Sequence, residues 1–385
     1  MNILVFDIHI TGHHSEYISH FVDYLVTNAS KDNYYFIVHP SFCEKFPEIV
    51  AAAHKVDYIH IVPIAQDAFL TMDSVNRIKR SINYFKLMNF YSIQYKVDLC
   101  YLLHMNVFQI ALGLYKVPYK IRGILFMQFT NMKISSVKDY YYYLRRYFPM
   151  LLCIRNQKLD SVFLLNDSDS AVLLNDKFKK EAVFKYLPDP VPFVVSEKDF
   201  DLRTFYGIDK ERKIFLHFGS LSERKGTLDI LDSVYFLQEN QKTTTIVLAG
   251  KATDAFDAVL SEKISKIRKV TDVQVVWDNS FISNERVVAL FNQCDAVLIP
   301  YKNAEASSGV LGHAIHSGKK VIGPSNGLIG KLIKNNDLGV CIDSINPEKI
   351  ASALFSKFLD EKSAINSAYL EEHKPANFIK TLLCT

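Results

Sequence analysis

The chain has 385 residues, of which 49% are hydrophobic and 22% are charged, and its formal net charge is +4. This composition is typical of a folded protein and argues against an intrinsically disordered chain, while the small net charge argues against nucleic acid as a partner. No apolar run approaches the roughly 18 residues that a membrane-spanning helix needs. The six cysteines are scattered without a CxxC pair, which favours a reducing cytoplasm over a zinc site or a disulfide framework.

Apolar runs of strand length alternate with helical stretches through the first half of the chain. The N-terminal sequence MNILVFDIHI has no basic region before its apolar residues, and it predicts a first strand instead of a signal peptide. Further strands are predicted at residues 35–38, 60–62, 99–103, 119–126 and 162–165. Helices are predicted at residues 16–26, 107–115 and 135–155 and from residue 168 onward, and residues 68–95 are predicted to be mostly helical. Such alternation predicts a parallel sheet with helices on both faces.

Three prolines at positions 188, 190 and 192 predict an interdomain connection, and the same alternation restarts after it. Strands are predicted at residues 214–218, 245–249, 273–277, 296–299, 320–322 and 340–342. Helices are predicted at residues 284–293, 309–316, 347–359 and 363–383, with another beginning after residue 226. We therefore expect an α/β fold with two doubly wound, Rossmann-like domains that face a central cleft. The domains are residues 1–190 and 191–362, and a C-terminal helix within residues 363–385 is expected to cross back to the first domain.

One polar loop, residues 301–308, lies between a predicted strand and a predicted helix. It contains Glu305, Ser307 and Ser308, and Gly309 begins the helix. A carboxylate in such a loop can accept hydrogen bonds from sugar hydroxyls, and the free amides of a helix N-terminus suit a phosphate. Capping of the helix by Ser307 or Ser308 would explain the same residues, and the two interpretations are compatible.

A second loop, residues 219–226, is bounded by glycines and places Arg224 and Lys225 directly before a helix. Two cations beside a helix N-terminus suit a diphosphate, although a solvated pair on a surface loop would have the same sequence. The spacing of a P-loop is absent from the chain, and so is the pattern GxGxxG. ATPase and dehydrogenase functions therefore lose their main support.

Several polar residues of the first half follow predicted strands, where ligands of parallel sheets bind. Gly12, His13 and His14 follow the first strand, and His104 and Gln128 stand at the ends of later strands. Adjacent histidines point in different directions and rarely bind one metal together. A surface turn explains the histidine pair equally well.

The sequence Asp167-Ser168-Asp169 follows another predicted strand. An Asp-x-Asp pair can hold a divalent metal under a nucleotide diphosphate. Here it leads directly into a helix, so an N-cap is the simpler explanation. We favour the cap, and we expect no metal site in the chain.

Two stretches of the first half are basic. Residues 77–86 contain four basic residues and no acid, and residues 133–158 contain six basic residues and one acid. The second stretch is also rich in tyrosine, which suits an anionic membrane surface. A helix packed on the core with one solvated basic face is the alternative.

Four blocks of the second half resemble glycosyltransferase family 4 (group 1), nucleotide-sugar enzymes of the GT-B fold. In chain order they are HFGSLSERKGTLDIL, TIVLAG, FISNERVVALFNQCDAVLIPY and EASSGVLGHAIHSGKKVIGPSNGLIGKLI. Together they cover about residues 214–345, and the first half matches only in its pattern. The resemblance implies an acceptor-binding domain at residues 1–190 and a donor-binding domain at residues 191–362.

The resemblance also implies roles for individual residues. Arg224 and Lys225 would hold the donor diphosphate, and its other neighbours would be Gly12, Ser220, Ser308 and Gly309. Glu305 would be a catalytic residue that contacts the donor sugar, with Ser307 beside it. The loop 278–283, which contains Phe281, would face the nucleoside. On the acceptor side, His104 would be catalytic, and His13, His14 and Gln128 would lie near the acceptor.

Two residues depart from the family pattern. The family often has an arginine after the first glycine of its phosphate loop, where this chain has Ser220, so Arg224 is expected to substitute. The family commonly has a second glutamate eight residues after the loop glutamate, assigned to the ribose, and His313 occupies that position here. An imidazole can still hydrogen-bond a ribose hydroxyl.

The sequence therefore predicts a glycosyltransferase of the hexosyltransferase type. It would move a sugar from a nucleotide-sugar donor, best a UDP-sugar, to a hydroxyl of a saccharide or lipid-linked saccharide, with retention and without a metal or other cofactor. The expected process is synthesis of a surface polysaccharide such as a capsule, an O-antigen or an exopolysaccharide. The expected location is cytoplasmic and peripheral on the inner face of the plasma membrane, through residues 133–158. A GT-B nucleotide-sugar epimerase and a non-catalytic sugar-nucleotide-binding protein are the alternatives.

Overall fold

Seven parallel strands form the sheet of the first part of the chain, in the order β3-β2-β1-β4-β5-β6-β7. The strands are β1 Asn2–Asp7, β2 Asn33–Val38, β3 Ile59–Pro63, β4 Leu99–Leu102, β5 Lys120–Leu125, β6 Leu159–Leu165 and β7 Phe184–Leu187. The structure is a computed structural model, and it describes residues 1–10, 14–72, 75–191, 194–241, 243–343, 345–359 and 367–384. Contacts divide the chain into a first unit, Met1–Pro188 with Pro375–Thr385, and a second unit, Asp189–Lys374.

Helices cover both faces of the first sheet because its strands are apolar on both sides. They are α1 His14–Thr27, α2 Phe42–Lys45, α3 Pro47–Ala53, α4 Gln66–Leu70, α5 Arg77–Gln94, α6 Gln109–Leu114, α7 Val137–Cys153 and α8 Ser168–Phe178. In β1, Leu4 and Phe6 pack into one apolar core, while Ile3 and Val5 pack into the other. The alternation along one strand thus builds two cores, one on each face of the sheet.

The second unit contains six parallel strands in the order β10-β9-β8-β11-β12-β13. They are β8 Lys213–Phe218, β9 Thr244–Ala249, β10 Gln274–Asp278, β11 Ala296–Leu298, β12 Lys320–Pro324 and β13 Gly339–Ile342. The helices are α9 Leu202–Tyr206, α10 Thr227–Ser233, α11 Asp254–Val270, α12 Asn284–Gln293, α13 Gly309–His316, α14 Gly327–Asn335, α15 Pro347–Leu354 and α16 Ser367–Glu372. This strand order is that of a doubly wound dinucleotide-binding sheet.

A last helix, α17 Pro375–Leu383, belongs to the first unit. Its apolar residues Phe378, Ile379 and Leu382 are fully buried in the core that also contains Phe21 of α1. Its end is fixed by hydrogen bonds, since the Tyr101 hydroxyl donates to the Leu382 carbonyl over 3.0 Å. The C-terminal residues therefore complete the core of the unit that contains the N-terminus.

Each sheet has one point where its strand order reverses. In the first unit the reversal lies between β1 and β4, and in the second it lies between β8 and β11. Connections leave toward opposite faces at such a point, which opens a crevice beyond the carboxyl ends of the two strands. The two reversals therefore indicate where each unit can hold a ligand.

The predicted strands are confirmed within three residues, and the bounds of α12 and α13 are those predicted. The prediction that residues 68–95 are mostly helical is confirmed, and the stretch contains two helices because α4 ends at Leu70 and α5 begins at Arg77. Asn76 caps α5 by accepting hydrogen bonds from the amides of Ile78 and Lys79. A side chain that caps a helix stabilises its start at that position.

Candidate functional site

Glycines let three loops of the second unit meet at the carboxyl ends of β8, β9 and β11. Gly219, Gly226 and Gly250 all have positive φ, at 108°, 74° and 133°. A Cβ atom on Gly226 would lie 2.2 Å from the carbonyl oxygen of Pro300, and one on Gly250 would lie 2.2 Å from that of Gly219. Only glycine permits both the backbone conformation and the close approach.

Lys225 is held at the centre of this arrangement. Its ammonium lies 5.4 Å from the centre of the Tyr301 ring, and a Cβ atom on Gly219 would stand 2.6 Å from it. Burial, and secondarily the neighbouring Arg224, lower the pKa of Lys225 to about 8. In the part of the chain that the structure describes, neither cation is paired with a carboxylate. Such a partly buried ammonium can be stabilised by an anion that enters the site.

Two further contacts fix the position of the loop that holds these cations. The amide of Lys302 donates to the Arg224 carbonyl over 2.9 Å, which joins the loops that follow β8 and β11. Below them His217 is fully buried, with Nδ1 2.8 Å from the Leu298 carbonyl and Nε2 3.0 Å from the Thr227 hydroxyl. Burial lowers the pKa of His217 to about 4, so the imidazole is neutral at pH 7 and serves as a structural link.

Glu305 is partly buried in the loop that precedes α13. Its amide donates a hydrogen bond to the side-chain oxygen of Asn303 over 3.3 Å. Two residues further on, the Ser307 hydroxyl donates to the carboxylate of Asp189 over 2.7 Å, which fixes the loop before α13. Ser308 occupies the N-cap position of α13, yet its hydroxyl makes no capping hydrogen bond. The side chain of Ser308 therefore does not cap α13, and Asp189 is a loop partner that sequence reasoning missed.

The two residues expected to face the nucleoside lie elsewhere in the second unit. His313 is in the second turn of α13, partly buried, with its ring centre 5.4 Å from that of Phe291. Phe281 follows β10 and its side chain is 86% exposed. The start of its loop is held by Tyr206, whose hydroxyl donates to Asp278 over 2.7 Å. Phe281 is thus an accessible apolar ring on a fixed base.

In the first unit, three histidines gather beyond the carboxyl ends of β1 and β4. The ring centre of His9 lies 4.8 Å from that of His14 and 5.0 Å from that of His104. Nδ1 of His14 lies 2.7 Å from a carboxylate oxygen of the buried Asp7. His14 and His104 were predicted for this site, whereas His9 and Asp7 were missed. Gly12 and His13 lie outside the described residues.

The surroundings of His104 alter its pKa. Burial, and secondarily the neighbouring His9, lower it to about 4, so its imidazole is neutral near pH 7. Its buried Nδ1 has no hydrogen-bond partner within the described ranges. In the same ranges no group of three His, Cys, Asp or Glu side chains is arranged to hold a metal ion. A neutral imidazole at this position can accept or donate a hydrogen bond to a ligand.

Gln128 is buried, and its amide groups already bind protein atoms. Its nitrogen donates to Asp167 over 2.9 Å and to Ser170 over 3.2 Å, and its oxygen accepts hydrogen bonds from the amide and the hydroxyl of Thr130. Asp167 caps α8 by accepting from the amide of Ser170, which confirms the capping interpretation of the Asp-x-Asp sequence. The hydrogen-bonding capacity of the Gln128 side chain is thus used inside the first unit.

A cavity of about 440 Å³ opens beside the histidines of the first unit. Four arginines from two helices line it, namely Arg77, Arg80, Arg145 and Arg146. Sequence reasoning noted the two basic stretches that supply these arginines but did not bring them together. The signal was the lack of acids in residues 77–86, because a solvated helix face usually mixes both signs.

Helix α7 leaves part of its aromatic surface exposed. Tyr140, Tyr141 and Phe148 are 53%, 59% and 54% exposed, while Met150 and Cys153 are buried. The helix therefore packs one face on the core and turns aromatic rings to the outside. Among the described helices, none is long and apolar enough to cross a membrane.

Comparison with known proteins finds a family model that is similar to the second unit. Residues 199–372 match the family model described as glycosyl transferases group 1. No curated protein sequence matches the chain. The matched residues contain both loops that hold Arg224, Lys225 and Glu305.

Solved structures are similar over the whole chain. WaaG, a glycosyltransferase involved in lipopolysaccharide biosynthesis, is 15% identical with a TM-score of 0.61 over 99% of this chain and 95% of that one. HepE from Anabaena, in complex with UDP-glucose, is 14% identical with a TM-score of 0.66 over 99% and 98%. A UDP-forming α,α-trehalose-phosphate synthase from Burkholderia xenovorans, in complex with glucose-6-phosphate, is 11% identical with a TM-score of 0.66 over 100% and 98%.

Both comparisons agree with the architecture of the chain. Two Rossmann-like units with parallel sheets match the GT-B fold of these structures, as the sequence predicted. The second unit is similar to glycosyl transferases group 1, and the protein is a glycosyltransferase enzyme.

Proposed function

We propose that the protein belongs to glycosyltransferase family 4 and transfers a sugar from a UDP-sugar to a hydroxyl of a saccharide acceptor, with retention and without a metal. The observation that carries the proposal is the partly buried ammonium of Lys225, held beside Gly219 at the strand-order reversal of the second sheet. A diphosphate is the ligand that such a cation, next to Arg224 and the N-terminus of α13, binds best.

The diphosphate would be held by the loop 219–226 and by the start of α13. Lys225 and the exposed Arg224 supply charge, Ser220 is exposed in the same loop, and Ser308 and Gly309 offer groups at the helix N-terminus. In the reaction the bond between the anomeric carbon and the diphosphate breaks, and the acceptor oxygen forms a bond to that carbon. The acceptor proton passes to the released diphosphate. Cations fixed before the reaction stabilise the charge that develops on this leaving group.

The donor sugar and the nucleoside would be recognised by other residues of the second unit. Glu305 would accept hydrogen bonds from sugar hydroxyls, with Ser307 beside it. His313 would hydrogen-bond the ribose, and the exposed ring of Phe281 would stack on the base. Uridine is supported by the titles of two similar structures, one bound to UDP-glucose and the other UDP-forming.

The acceptor would bind to the first unit, where His104 is the proposed catalytic residue and His14 a neighbour. A neutral His104 can hydrogen-bond the reacting hydroxyl or the sugar without adding charge. Synthesis of a surface polysaccharide on the cytoplasmic face of the membrane is supported by the exposed aromatic side of α7 and by the similarity to WaaG. Tyrosine and phenylalanine beside cations suit the interface of an anionic bilayer.

A thermal-shift screen with UDP-, GDP-, ADP- and CMP-sugars tests this function, followed by incubation of the stabilising donor with saccharide acceptors. We expect UDP-sugars to raise the melting temperature and UDP to be released when the correct acceptor is added. Stabilisation by no nucleotide sugar would contradict the proposal. Formation of an epimer from a UDP-sugar alone would instead identify an epimerase.

A further inference from the structure

Positively charged side chains form a large part of the wall of the first unit's cavity. Four arginines, Arg77, Arg80, Arg145 and Arg146, share its wall with neutral and aromatic side chains. No aspartate or glutamate is among the lining residues that the structure describes. Four guanidinium groups around one cavity of about 440 Å³ attract a ligand of opposite charge.

The helix that supplies two of these arginines violates a local rule of helix stability. Helix α5 begins at Arg77, and its first residues include Lys79 and Arg80 but no acid in the first turn. Cations at a helix N-terminus are unfavourable because the helix dipole places partial positive charge there. Local violations of this kind are expected at functional sites, where a ligand compensates them.

Arg77 and Arg146 are held in place by hydrogen bonds to backbone carbonyls. A guanidinium nitrogen of Arg77 donates to the carbonyl of Arg145 over 2.8 Å, which joins α5 to α7. Arg146 donates to the carbonyl of Gln128 over 2.9 Å. Burial, followed by the nearby Arg145, Arg80 and Arg146, lowers the pKa of Arg77. The positive charges of Arg77 and Arg146 are therefore positioned before any ligand arrives.

The cavity also reaches the candidate catalytic residue. His9 and His104 form part of its wall, beyond the carboxyl ends of β1 and β4. The buried Nδ1 of His104 lacks a hydrogen-bond partner among the described residues. The carboxylate of Asp7 lies 2.7 Å from Nδ1 of His14 and accepts a hydrogen bond from the amide of His9. An anionic ligand in the cavity would thus lie within the acceptor side of the first unit.

We propose that this cavity binds a phosphate carried by the acceptor, as a phosphate or diphosphate ester of the saccharide. The inference rests on the proposed function and adds the chemical class of its acceptor. Arginine forms bidentate hydrogen bonds with phosphate, and two pairs of arginines can surround more than one phosphate oxygen. A volume of about 440 Å³ accommodates a phosphate group with an adjoining sugar.

Two sources of such a phosphate are distinguished by the probes used. Glucose 6-phosphate represents a soluble phosphorylated sugar, and farnesyl diphosphate in detergent micelles represents a lipid-borne diphosphate. Calorimetric titration of the full-length protein with each probe, with glucose as the neutral control, measures the dissociation constants. Binding of the first supports a soluble acceptor, and binding of only the second supports a lipid-linked one.

Substitution of single arginines tests whether the cavity is responsible. Arg145→Gln changes an exposed side chain, so the fold is expected to persist, and Arg80→Gln changes a second wall of the cavity. Each should raise the dissociation constant of the bound probe about tenfold or more, since a charge-assisted hydrogen bond is lost. Lys79→Gln removes an equal charge from the exposed side of α5, outside the cavity, and should change binding less than twofold.

The outcomes separate this inference from the proposed function. Binding of neither probe would overturn the inference, and so would an equal loss in Lys79→Gln, which would indicate non-specific attraction. UDP titrated into the same variants should bind as in the wild type. If the wild type binds a probe but does not bind UDP, the proposed donor is wrong, whereas the proposal of a phosphate-binding cavity is supported.

Discussion

The two candidate sites of this glycosyltransferase use cations in different ways. In the second unit, Lys225 and Arg224 lie on a short loop whose shape depends on Gly219 and Gly226. In the first unit, four arginines project from the regular helices α5 and α7. A loop closed by glycines fixes its cations through the backbone, whereas helices fix theirs through side-chain packing and spacing.

This difference teaches how far each site can vary without loss of the fold. Around Lys225 the loops touch backbone to backbone, so nearly any added atom disturbs them. Around the arginine cavity, side chains can be exchanged while α5 and α7 remain packed on the core. We therefore expect donor binding to be intolerant of substitution and acceptor binding to be adjustable.

The largest effect is expected from removal of the Lys225 charge. Lys225→Met keeps most of the side-chain volume but removes the cation proposed to stabilise the leaving diphosphate. We expect kcat/KM for sugar transfer to fall on the order of 100- to 1,000-fold. Steady-state kinetics measure this change, and Lys269→Met, at an exposed position on α11 of the same unit, is the control variant. Equal activity of the two variants would show that the diphosphate binds elsewhere.

The backbone constraint on the loop 219–226 can be tested by adding one methyl group. In Gly226→Ala the new Cβ would meet the Pro300 carbonyl at 2.2 Å in a backbone with φ of 74°, so we expect a loss of stability on the order of 3 kcal/mol. Gly207→Ala has a similar φ of 62° but no atom within 4 Å, and should cost about 1 kcal/mol. Urea denaturation measures both. Similar values would mean that the contact with Pro300 contributes little.

The lowered pKa of Lys225 predicts how donor binding depends on pH. Its ammonium is protonated below a pKa of about 8 and loses its charge as the pH rises through that value. UDP is fully ionised at pH 7, so its affinity should fall about tenfold between pH 7 and pH 9, where roughly one molecule in ten keeps the charge. Lys225→Met should bind UDP weakly with no such change. A wild-type affinity that is constant over this range would contradict the assignment.

The smallest effect is expected from removal of metal ions. Protein cations are proposed to stabilise the diphosphate, so transfer activity in EDTA should remain within twofold of that in buffer. Assays with and without added Mg²⁺ or Mn²⁺ check this expectation. Activity that is lost in EDTA and restored by either ion would assign the charge stabilisation to a metal instead of to Lys225 and Arg224.

Local patterns were sufficient to predict most of the strands and the position of the loop 219–226. The apolar runs of β8 and β11 are bounded by Gly219 and Pro300, so strand ends could be read directly from the sequence. The capping residue Asp167 was recognised because a polar residue before a helical run has a local effect. Helices α11 and α14 and strand β7 were not predicted. Their local sequence patterns are weak, and tertiary packing determines these elements.

Side-chain partnerships over long sequence distances could not be predicted. Ser307 bonds Asp189, which is 118 positions away, and Arg77 bonds the carbonyl of Arg145, which is 68 positions away. Such pairs form because the sheet brings distant loops and helices together. A single sequence does not show which distant residues become neighbours in the fold. The same reason explains why Gln128 was predicted to face the acceptor although its amide is bonded inside the fold.

Calorimetric titration of UDP into the wild type, Lys225→Met and Arg145→Gln at pH 7.5 tests the central claim most directly. The claim is that the cations of the second unit bind the donor and those of the first unit do not. We predict that the wild type binds UDP, that Lys225→Met weakens binding at least tenfold, and that Arg145→Gln changes it less than twofold. Failure of the wild type to bind UDP, or equal weakening in both variants, would contradict the account.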